Sequence, residues 1–301
     1  MTASGQRRVV IHADDLGMSH GANAAFAELW GLGTVTSGSV MVPCPWFAEL
    51  SGLARANPAM DIGVHLTLTS EMPGYRWRPL TCPAGSAGLT DRNGFLHPDV
   101  PTLRARADRL AVEAELRAQI EAALAAGIDV THLDDHMGAV LAPEFADIYA
   151  RLGVDYGVLP LFCRSLDAYG GQHNMTGITP DAFAPGVETV RSFGFPIFDR
   201  IVETDWLPAS VAEPAYRAIF DGVEKGLTFL ALHFAKPGEI EVIDPRTHHI
   251  RTGEYALFRN AGFADWLTRQ DITPISMRAL RDDWRAQQQK GETAWTASAS
   301  G

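Results

Sequence analysis

The feature of this sequence that most constrains its fold is a regular alternation of short apolar runs with longer helical segments. Runs with the β-branched and apolar composition of strands occur at residues 9–11, 35–42, 62–68, 128–133, 156–161, 196–202, 227–234 and 272–276. Segments typical of helices occur at residues 22–30, 45–56, 102–126, 143–153, 210–225, 255–268 and 277–286. Strands that alternate with helices predict a parallel sheet covered by helices. Seven or eight such strands in 301 residues favour a closed or nearly closed α/β barrel over an open sheet.

Two segments depart from this alternation. Residues 70–100 are rich in proline, glycine, threonine and asparagine, with Trp77 and Phe95 as apolar anchors. A loop of this length in a compact domain is typical of a lid or a substrate wall, and a mobile surface excursion is the alternative. Residues 287–301 are small and polar, and we expect them to form a disordered tail. We expect the whole chain, residues 1–301, to form a single barrel domain.

The charge and the cysteine content exclude several classes of partner. The 36 acidic residues outnumber the 25 basic ones, and the resulting net charge of −11 disfavours binding to nucleic acid. The three cysteines, Cys44, Cys82 and Cys163, form no C-x-x-C pair, so neither a disulfide framework nor a structural zinc knuckle is expected. The N-terminal residues lack an apolar run, and no run reaches membrane-spanning length. We therefore expect a cytoplasmic protein that binds neither nucleic acid nor a membrane.

Polar residues cluster where the predicted strands end. In parallel barrels, functional sites lie at the carboxyl ends of the strands. Histidines and aspartates stand at four of these ends: Asp14, Asp15, His65, His132, Asp134, Asp135, His136 and His233. Buried carboxylates and imidazoles are costly unless they are paired, hydrogen-bonded or bound to a metal. Several of them converging at one rim of a barrel predict a metal site.

The adjacent aspartates suggest a division of roles. One carboxylate of Asp14-Asp15 could bind a metal while the other acts as a general base on water, and a helix cap is the alternative for either one. In His132-x-Asp134-x-His136 the alternation of a strand places all three side chains on one face, where they supply a ligand and its partners or a polar ladder without metal.

The motifs of several other enzyme classes are missing from the sequence. The first strand is followed by neither G-x-G-x-x-G nor a phosphate-binding P-loop, and no G-x-S-x-G nucleophile motif occurs at a strand-to-helix turn. Nothing near Cys44 would lower the pKa of its thiol, so a small buried side chain is the expected role.

Several segments together resemble one family. His12-Ala13-Asp14-Asp15-Leu16-Gly17 resembles the opening N-A-D-D-F-G motif of the YdjC-like carbohydrate deacetylases, which include chitooligosaccharide and hopanoid-biosynthesis deacetylases. Residues 34–37 resemble the second strand of that family, 61–69 its G-x-H-L-x-L segment, 131–136 its H-x-D-x-H segment and 251–257 its C-terminal signature. These segments occur in the family's order.

The resemblance implies a fold, a cofactor and a set of roles. The fold is a distorted parallel (β/α) barrel of TIM-like type, and the cofactor is one divalent ion, either zinc or magnesium, with manganese or cobalt as alternatives. By position, Asp15, His65 and His136 are the metal ligands, and Asp14 is the base. His233 matches the family's acid histidine, although three residues are inserted here before the following proline. Where further histidines often follow H-x-D-x-H in the family, this chain has Met137-Gly138.

The implied reaction is metal-dependent removal of an acetyl group from an N-acetylated sugar or oligosaccharide. Arg164 or Arg200 is a candidate to orient Asp14. Three aromatic residues are candidates to stack on a sugar ring: Trp46, Tyr75 and Trp77. The alternatives are a non-catalytic sugar-binding or regulatory barrel and a metal hydrolase of another amide or ester. The family also suggests a homodimer.

Overall fold

The barrel is built from eight short parallel strands. The computed structural model describes residues 5–206 and 213–299, with side chains through residue 290. Within these residues the strands are β1 (Arg7–Leu16), β2 (Ser37–Val40), β3 (Ile62–Leu66), β4 (Val130–Asp135), β5 (Leu159–Pro160), β6 (Arg200–Glu203), β7 (Gly226–Leu232) and β8 (Thr273–Pro274). Their order in the sheet is β5-β4-β3-β2-β1-β7-β6, and β8 pairs with the beginning of β1.

The two ends of the sheet meet at an irregular seam. Residues that follow β5 pair in parallel with residues around β6, through the bridges Cys163–Phe198 and Tyr169–Ile201. Gly170 N donates to the Ile201 carbonyl at 2.8 Å across the same seam. The sheet is therefore a distorted parallel α/β barrel, which confirms the predicted fold class.

The register of β1 and β7 determines where the site forms. The two strands pair in parallel without interruption from Arg7 beside Gly226 to Ala13 beside Leu232. The residues that come next in each strand, Asp14 and His233, therefore lie at the same rim of the barrel.

Helices cover the outside of the sheet. They are α1 (His20–Leu32), α2 (Phe47–Ala56), α3 (Val100–Arg106), α4 (Arg109–Ala125), α5 (Ala146–Tyr156), α6 (Pro180–Ser192), α7 (Glu213–Asp221), α8 (Ile240–Ile243), α9 (His248–Phe258), α10 (Ala261–Thr268) and α11 (Met277–Ala299). Helix α1 begins after Ser19, whose hydroxyl accepts from Ala22 N, and it ends at Gly33 in the left-handed conformation. Among the described residues, no helix is both long and apolar enough to cross a lipid bilayer.

Two predicted helices are each split in the structure. The segment 102–126 is interrupted before α4, where the Asp108 carboxylate accepts from Leu110 N and Ala111 N. The segment 255–268 is interrupted before α10, where the Asn260 side chain accepts from Phe263 N. Each break comes from a capping residue inside a helical pattern, which hydrophobic periodicity alone does not detect.

Further differences between the predicted and the observed elements lie in the C-terminal half of the chain. Helix α6 begins with Pro180 at its first turn and was not predicted. Residues 210–212 of the predicted helix 210–225 lie outside the described residues. Residues 287–299 continue α11 as helix, so the disordered tail predicted for 287–301 does not describe them.

The long segment 70–100 packs against the barrel. Trp77 is buried, and its Nε1 donates to the Thr69 carbonyl at 2.7 Å. Ser70 N donates to the His97 carbonyl at 2.7 Å, which joins the two ends of the segment. These contacts pack the segment against the residues that follow β3.

Candidate active site

Three predicted ligand atoms form a nearly equilateral triangle at the rim. Asp15 Oδ1 lies 3.3 Å from His65 Nε2 and 3.3 Å from His136 Nδ1, and the two ring nitrogens are 3.3 Å apart. All three residues are buried, and Asp15 Oδ1 has no hydrogen-bond partner. The three residues therefore form a group that could hold a metal ion.

The size of this triangle suits a divalent ion. A triangle with sides of 3.3 Å has its centre roughly 1.9 Å from each corner, and zinc binds nitrogen and oxygen ligands at about 2.0–2.2 Å. The chemistry of the three atoms also suits such ions, which bind carboxylate oxygens and imidazole nitrogens. The carboxylate oxygen here is buried and has no hydrogen-bond partner. The residues present fit a divalent metal.

Unusual backbone conformations bring these ligands inward. Asp15 and Met137 are the two non-glycine residues with positive φ among the described residues, at 59° and 60°. The first accompanies a register shift between Ala13 and Leu16 against β2, and the second follows His136 in the turn after β4. Such conformations cost about 1–3 kcal/mol each and cluster at functional sites. Here they allow Asp14 and Asp15, which are adjacent, to line the same cavity.

Each ligand imidazole is held by a carboxylate at its other nitrogen. His65 Nδ1 lies 2.9 Å from Asp134 Oδ2, which also accepts from Ser39 Oγ at 2.8 Å. His136 Nε2 lies 3.1 Å from both carboxylate oxygens of Glu71. A carboxylate on one nitrogen keeps the hydrogen there and leaves the other nitrogen free to bind a metal.

The remaining oxygen of Asp15 faces Arg251. Arg251 Nη1 donates to Asp15 Oδ2 at 2.7 Å, and the arginine is itself buried. Burial alone would raise the pKa of Asp15, but the Arg251 guanidinium and the nearby imidazoles of His136 and His65 hold that pKa well below its ordinary value. Asp15 is therefore a carboxylate at neutral pH.

Arg164 and Arg200, the candidates to orient Asp14, lie elsewhere. Arg164 is exposed and pairs with Asp199 at 3.5 Å. Arg200 is the first residue of β6 and pairs with Thr228, which in turn pairs with Val9. Arg200 therefore lies at the level of Val9, five residues before Asp14 and away from the carboxyl ends of the strands. The prediction that one of these two arginines orients Asp14 is therefore not supported by their positions.

Asp14 and His233 face each other beside the triangle. Asp14 Oδ2 lies 3.7 Å from His233 Nε2, and Asp14 Oδ1 lies 3.4 Å from His12 Nε2. Burial and the charge of Asp134 raise the pKa of Asp14 well above its ordinary value. Burial lowers the pKa of His233 to about 3, so this imidazole is neutral at neutral pH.

A second buried group lies beneath the first. His12, Asp14 and Asp134 also offer three ligand atoms to one point. His12 Nδ1 is 2.6 Å from Ser37 Oγ, and its Nε2 is 3.3 Å from Asp134 Oδ2. His132 is a buried histidine whose Nδ1 lies 2.8 Å from Thr131 Oγ1. Within His132-x-Asp134-x-His136, His136 is therefore the candidate ligand, Asp134 is the partner of His65, and His132 is a core residue.

A cavity of about 230 Å³ opens above these residues. Its wall includes Trp206, whose ring centroid lies 4.6 Å from that of His233. Trp77 is buried against His136, and Tyr75 donates its hydroxyl to the Met18 carbonyl. Trp46 is 38% exposed and packs on His20. The three aromatic residues predicted to stack on a sugar, Trp46, Tyr75 and Trp77, do not line the cavity.

Comparison with known proteins shows the family to which the chain belongs. The model of the family described as YdjC-like protein matches residues 8–269. The chain belongs to the YdjC-like family. This confirms the resemblance seen in the sequence.

Two relatives of this YdjC-like chain are named for an enzymatic activity. A protein named carbohydrate deacetylase from Thermus thermophilus is 41% identical over 184 residues, 61% of each chain. One named carbohydrate deacetylase 1 from Listeria innocua is 35% identical over 214 residues, which cover 69% of this chain and 82% of the relative. The match thus spans less than two thirds of the Thermus protein.

A solved structure shares the fold. A protein of Enterococcus faecalis V583, named for cellobiose-phosphate cleavage, has a TM-score of 0.74 at 19% identity and covers 91% of this chain and 99% of its own. At this identity the likeness concerns the fold alone.

Several residues of the site were not predicted. His12 stands two residues before Asp14, so the period of a strand already places both on one face. Arg251 was noted only as part of a C-terminal signature. Glu71 and Trp206 lie just beyond strands β3 and β6, in segments without any periodic signal.

Proposed function

We propose that this chain is a metal-dependent hydrolase that removes the acetyl group from an N-acetylated sugar. The observation that carries the proposal is the triangle of Asp15, His65 and His136 with Asp14 and His233 beside it. The names of the relatives, carbohydrate deacetylases, support a carbohydrate substrate and the removal of an acetyl group, and the N-acetyl bond is what the family resemblance implies. We infer further that the chain is one catalytic domain, because the candidate ligands and the pair Asp14 and His233 all lie on, or directly after, strands of a single sheet.

Asp15, His65 and His136 would hold one divalent ion, zinc or magnesium, with manganese or cobalt as alternatives. When bound, the ion polarises the amide carbonyl and makes water more acidic. Arg251 keeps Asp15 ionised, and Asp134 and Glu71 keep the imidazole hydrogens away from the ligand nitrogens.

Asp14 is the general base. Its buried carboxylate accepts a proton from the attacking water, and its raised pKa brings it closer to the working pH. His233 delivers a proton to the leaving amine nitrogen. Because His233 rests neutral, it must first gain that proton at Nε2, and the Asp14 carboxyl at 3.7 Å is a source within reach.

Trp206 is the aromatic residue that we assign to the sugar. Its half-buried ring lines the cavity next to His233 and offers an apolar face to a pyranose ring. Arg251 lies over this indole, with its guanidinium carbon 5.1 Å from the ring centroid, and the indole Nε1 donates to Glu203 Oε1 at 3.2 Å. These two contacts hold the indole at the wall of the cavity.

The test is acetate release from a panel of N-acetylated mono- and oligosaccharides. The protein is stripped of metal and then supplied with zinc, magnesium, manganese or cobalt. Release that depends on the ion and fails in His65→Ala supports the proposal, and exposed His20→Ala is the matched control. Stoichiometric metal without release from any sugar would favour another amide or ester, or a binding role. Failure to bind any ion would refute the proposal. Cytoplasmic location and a homodimer stay predictions.

A further inference from the structure

The C-terminal signature contributes more than Arg251 to the site. One turn further along α9, Glu254 is fully buried, and its carboxylate is surrounded by donors. Glu254 Oε1 accepts from Thr204 Oγ1 at 2.8 Å and from the Tyr216 hydroxyl at 2.6 Å, and Oε2 accepts from His233 N at 2.6 Å. A buried carboxylate that receives three donors acts as an acceptor in this network.

The hydroxyl of Thr204 joins Glu254 to the imidazole of His233. Thr204 Oγ1 lies 2.9 Å from His233 Nδ1 and 2.8 Å from Glu254 Oε1. A hydroxyl has one hydrogen and two lone pairs, and an ionised carboxylate only accepts. The other acceptor near this hydroxyl, the Ala231 carbonyl, is farther away at 3.4 Å and is neutral. The hydrogen of Thr204 therefore points to the carboxylate of Glu254, and its oxygen accepts from His233.

This direction determines the tautomer of His233. A nitrogen that donates must carry the hydrogen, so Nδ1 is the N–H and Nε2 holds the lone pair. Nε2 is the nitrogen that faces Asp14 Oδ2 at 3.7 Å and the cavity. The reverse tautomer would present an N–H to the cavity and leave no lone pair there to accept a proton.

We infer that Glu254, acting through Thr204, is a positioning residue that holds the hydrogen of His233 on Nδ1 and keeps Nε2 as a proton acceptor facing Asp14. The tautomer stands on the hydrogen bonds alone. Its catalytic consequence rests on the proposed function, in which Nε2 receives a proton and passes it to the leaving amine. A Glu254 that only stabilised the end of β7 through His233 N would have no effect on the tautomer.

The test compares Glu254→Gln with the unchanged protein by ¹⁵N NMR of the imidazole, with the His233 signals identified by their loss in His233→Gln. At pH 8, Glu254 is ionised, because its pKa, although raised by burial, is about 7. His233 is neutral at this pH, because burial lowers its pKa to about 3. A glutamine can still accept from His233 N while its amide donates to Thr204. The hydroxyl hydrogen then turns to Nδ1 at 2.9 Å, which is closer than the Ala231 carbonyl at 3.4 Å, and the imidazole hydrogen moves to Nε2.

We expect the Nδ1–H form in the unchanged protein and the Nε2–H form in Glu254→Gln. Nε2–H in the unchanged protein, or Nδ1–H in a folded Glu254→Gln, would overturn the inference. Should Glu254→Gln not fold, Thr204 variants give the same answer. Thr204→Ser keeps the hydroxyl and should retain Nδ1–H, whereas Thr204→Val should give a mixture, and a pure Nδ1–H signal in it would overturn the inference.

Kinetics separate this inference from the proposed function. General acid–base catalysis contributes about 10²–10⁴-fold, so a wrong tautomer should lower kcat by roughly that factor with little change in KM. Thr204→Ser should restore most of the rate lost in Thr204→Val. A tautomer that switches while kcat is unchanged would support the hydrogen-bond assignment and refute the role of His233 in proton delivery.

Discussion

Removing the carboxylate of Glu71 should weaken metal binding without touching a ligand. Both of its oxygens lie 3.1 Å from His136 Nε2, and its side chain is only 19% exposed. When a metal is bound at Nδ1, the remaining imidazole hydrogen is on Nε2, where this carboxylate accepts it. Without Glu71 the Nε2–H of the metal-bound imidazole loses its charged acceptor, so the metal-bound state is less stable.

The size of the effect follows from that contact. A hydrogen bond to a charged group contributes about 1.5–3 kcal/mol, which corresponds to roughly 10- to 150-fold in a dissociation constant. Loss of such a partner typically weakens metal binding about 10- to 100-fold. We therefore expect Glu71→Ala to raise the Kd for zinc by about 10- to 100-fold, and Glu71→Gln, which keeps a neutral acceptor, to raise it less.

The assay is competition for zinc against a chelator of known affinity, at constant pH and ionic strength. The matched control is Glu49→Ala, because Glu49 also accepts from a histidine at 2.7 Å, but this histidine, His20, is exposed and is not a candidate ligand. The control should leave the Kd unchanged. A Kd in Glu71→Ala within about threefold of the unchanged protein, or an equal shift in the control, would refute this reasoning.

Three further predictions concern catalysis, stability and proton release. Asp14→Asn should keep its metal and lose at least about 10²-fold in kcat, whereas His65→Ala should lose both, as metal analysis and acetate release would show. Burial raises the pKa of Glu254 from 4.5 to about 7, so the unfolded chain gives up this proton first as the pH rises. At about 1.4 kcal/mol per pH unit, the free energy of unfolding should fall by about 3 kcal/mol between pH 4.5 and 7, and urea unfolding of Glu254→Gln should lack this part. Burial alone lowers the pKa of His136, but the charges of Glu71 and Asp15 and the hydrogen bonds to them together outweigh burial and raise the pKa to about 9. Metal binding should therefore release a proton and weaken as the pH falls from about 9, which calorimetry in buffers of different ionisation enthalpy would detect.

The meeting of polar residues from β1, β3 and β4 was predictable, because parallel strands bring their carboxyl ends to one rim. The choice of Asp15, His65 and His136 among these residues as candidate ligands came from the family resemblance. The contact between Asp134 and His65 was not predicted, because alternation along β4 does not show which imidazole Asp134 will contact. The position of His136 was not predicted by alternation either, because β4 ends at Asp135 and His136 begins the following turn.

The supporting residues could not be derived in the same way. Glu71 comes from an irregular segment, and Arg251 and Glu254 come from a helix that docks on the rim from the far end of the chain. The periodicity of a helix shows which face is buried, but not which residue of another element that face will meet. Arg251 and Asp15 are separated by 236 residues in sequence, and no local pattern reports such a contact.

The charge balance of the buried site is itself an argument for a cation. Three carboxylates, Asp14, Asp15 and Asp134, are each at most 7% exposed, and among the described residues Arg251 is the one permanent cation in hydrogen-bond contact with them. Buried carboxylates are stable only when paired or bound to metal. In the absence of an ion, protons on His65 and His136 supply the missing positive charge, since neighbouring carboxylates raise the pKa of both imidazoles against the effect of burial. A divalent ion would replace those protons with a charge fixed in place, and it would do so where Asp15 Oδ1 has no other partner. The same excess of negative charge that destabilises the empty rim thus favours the ion that the proposed reaction requires.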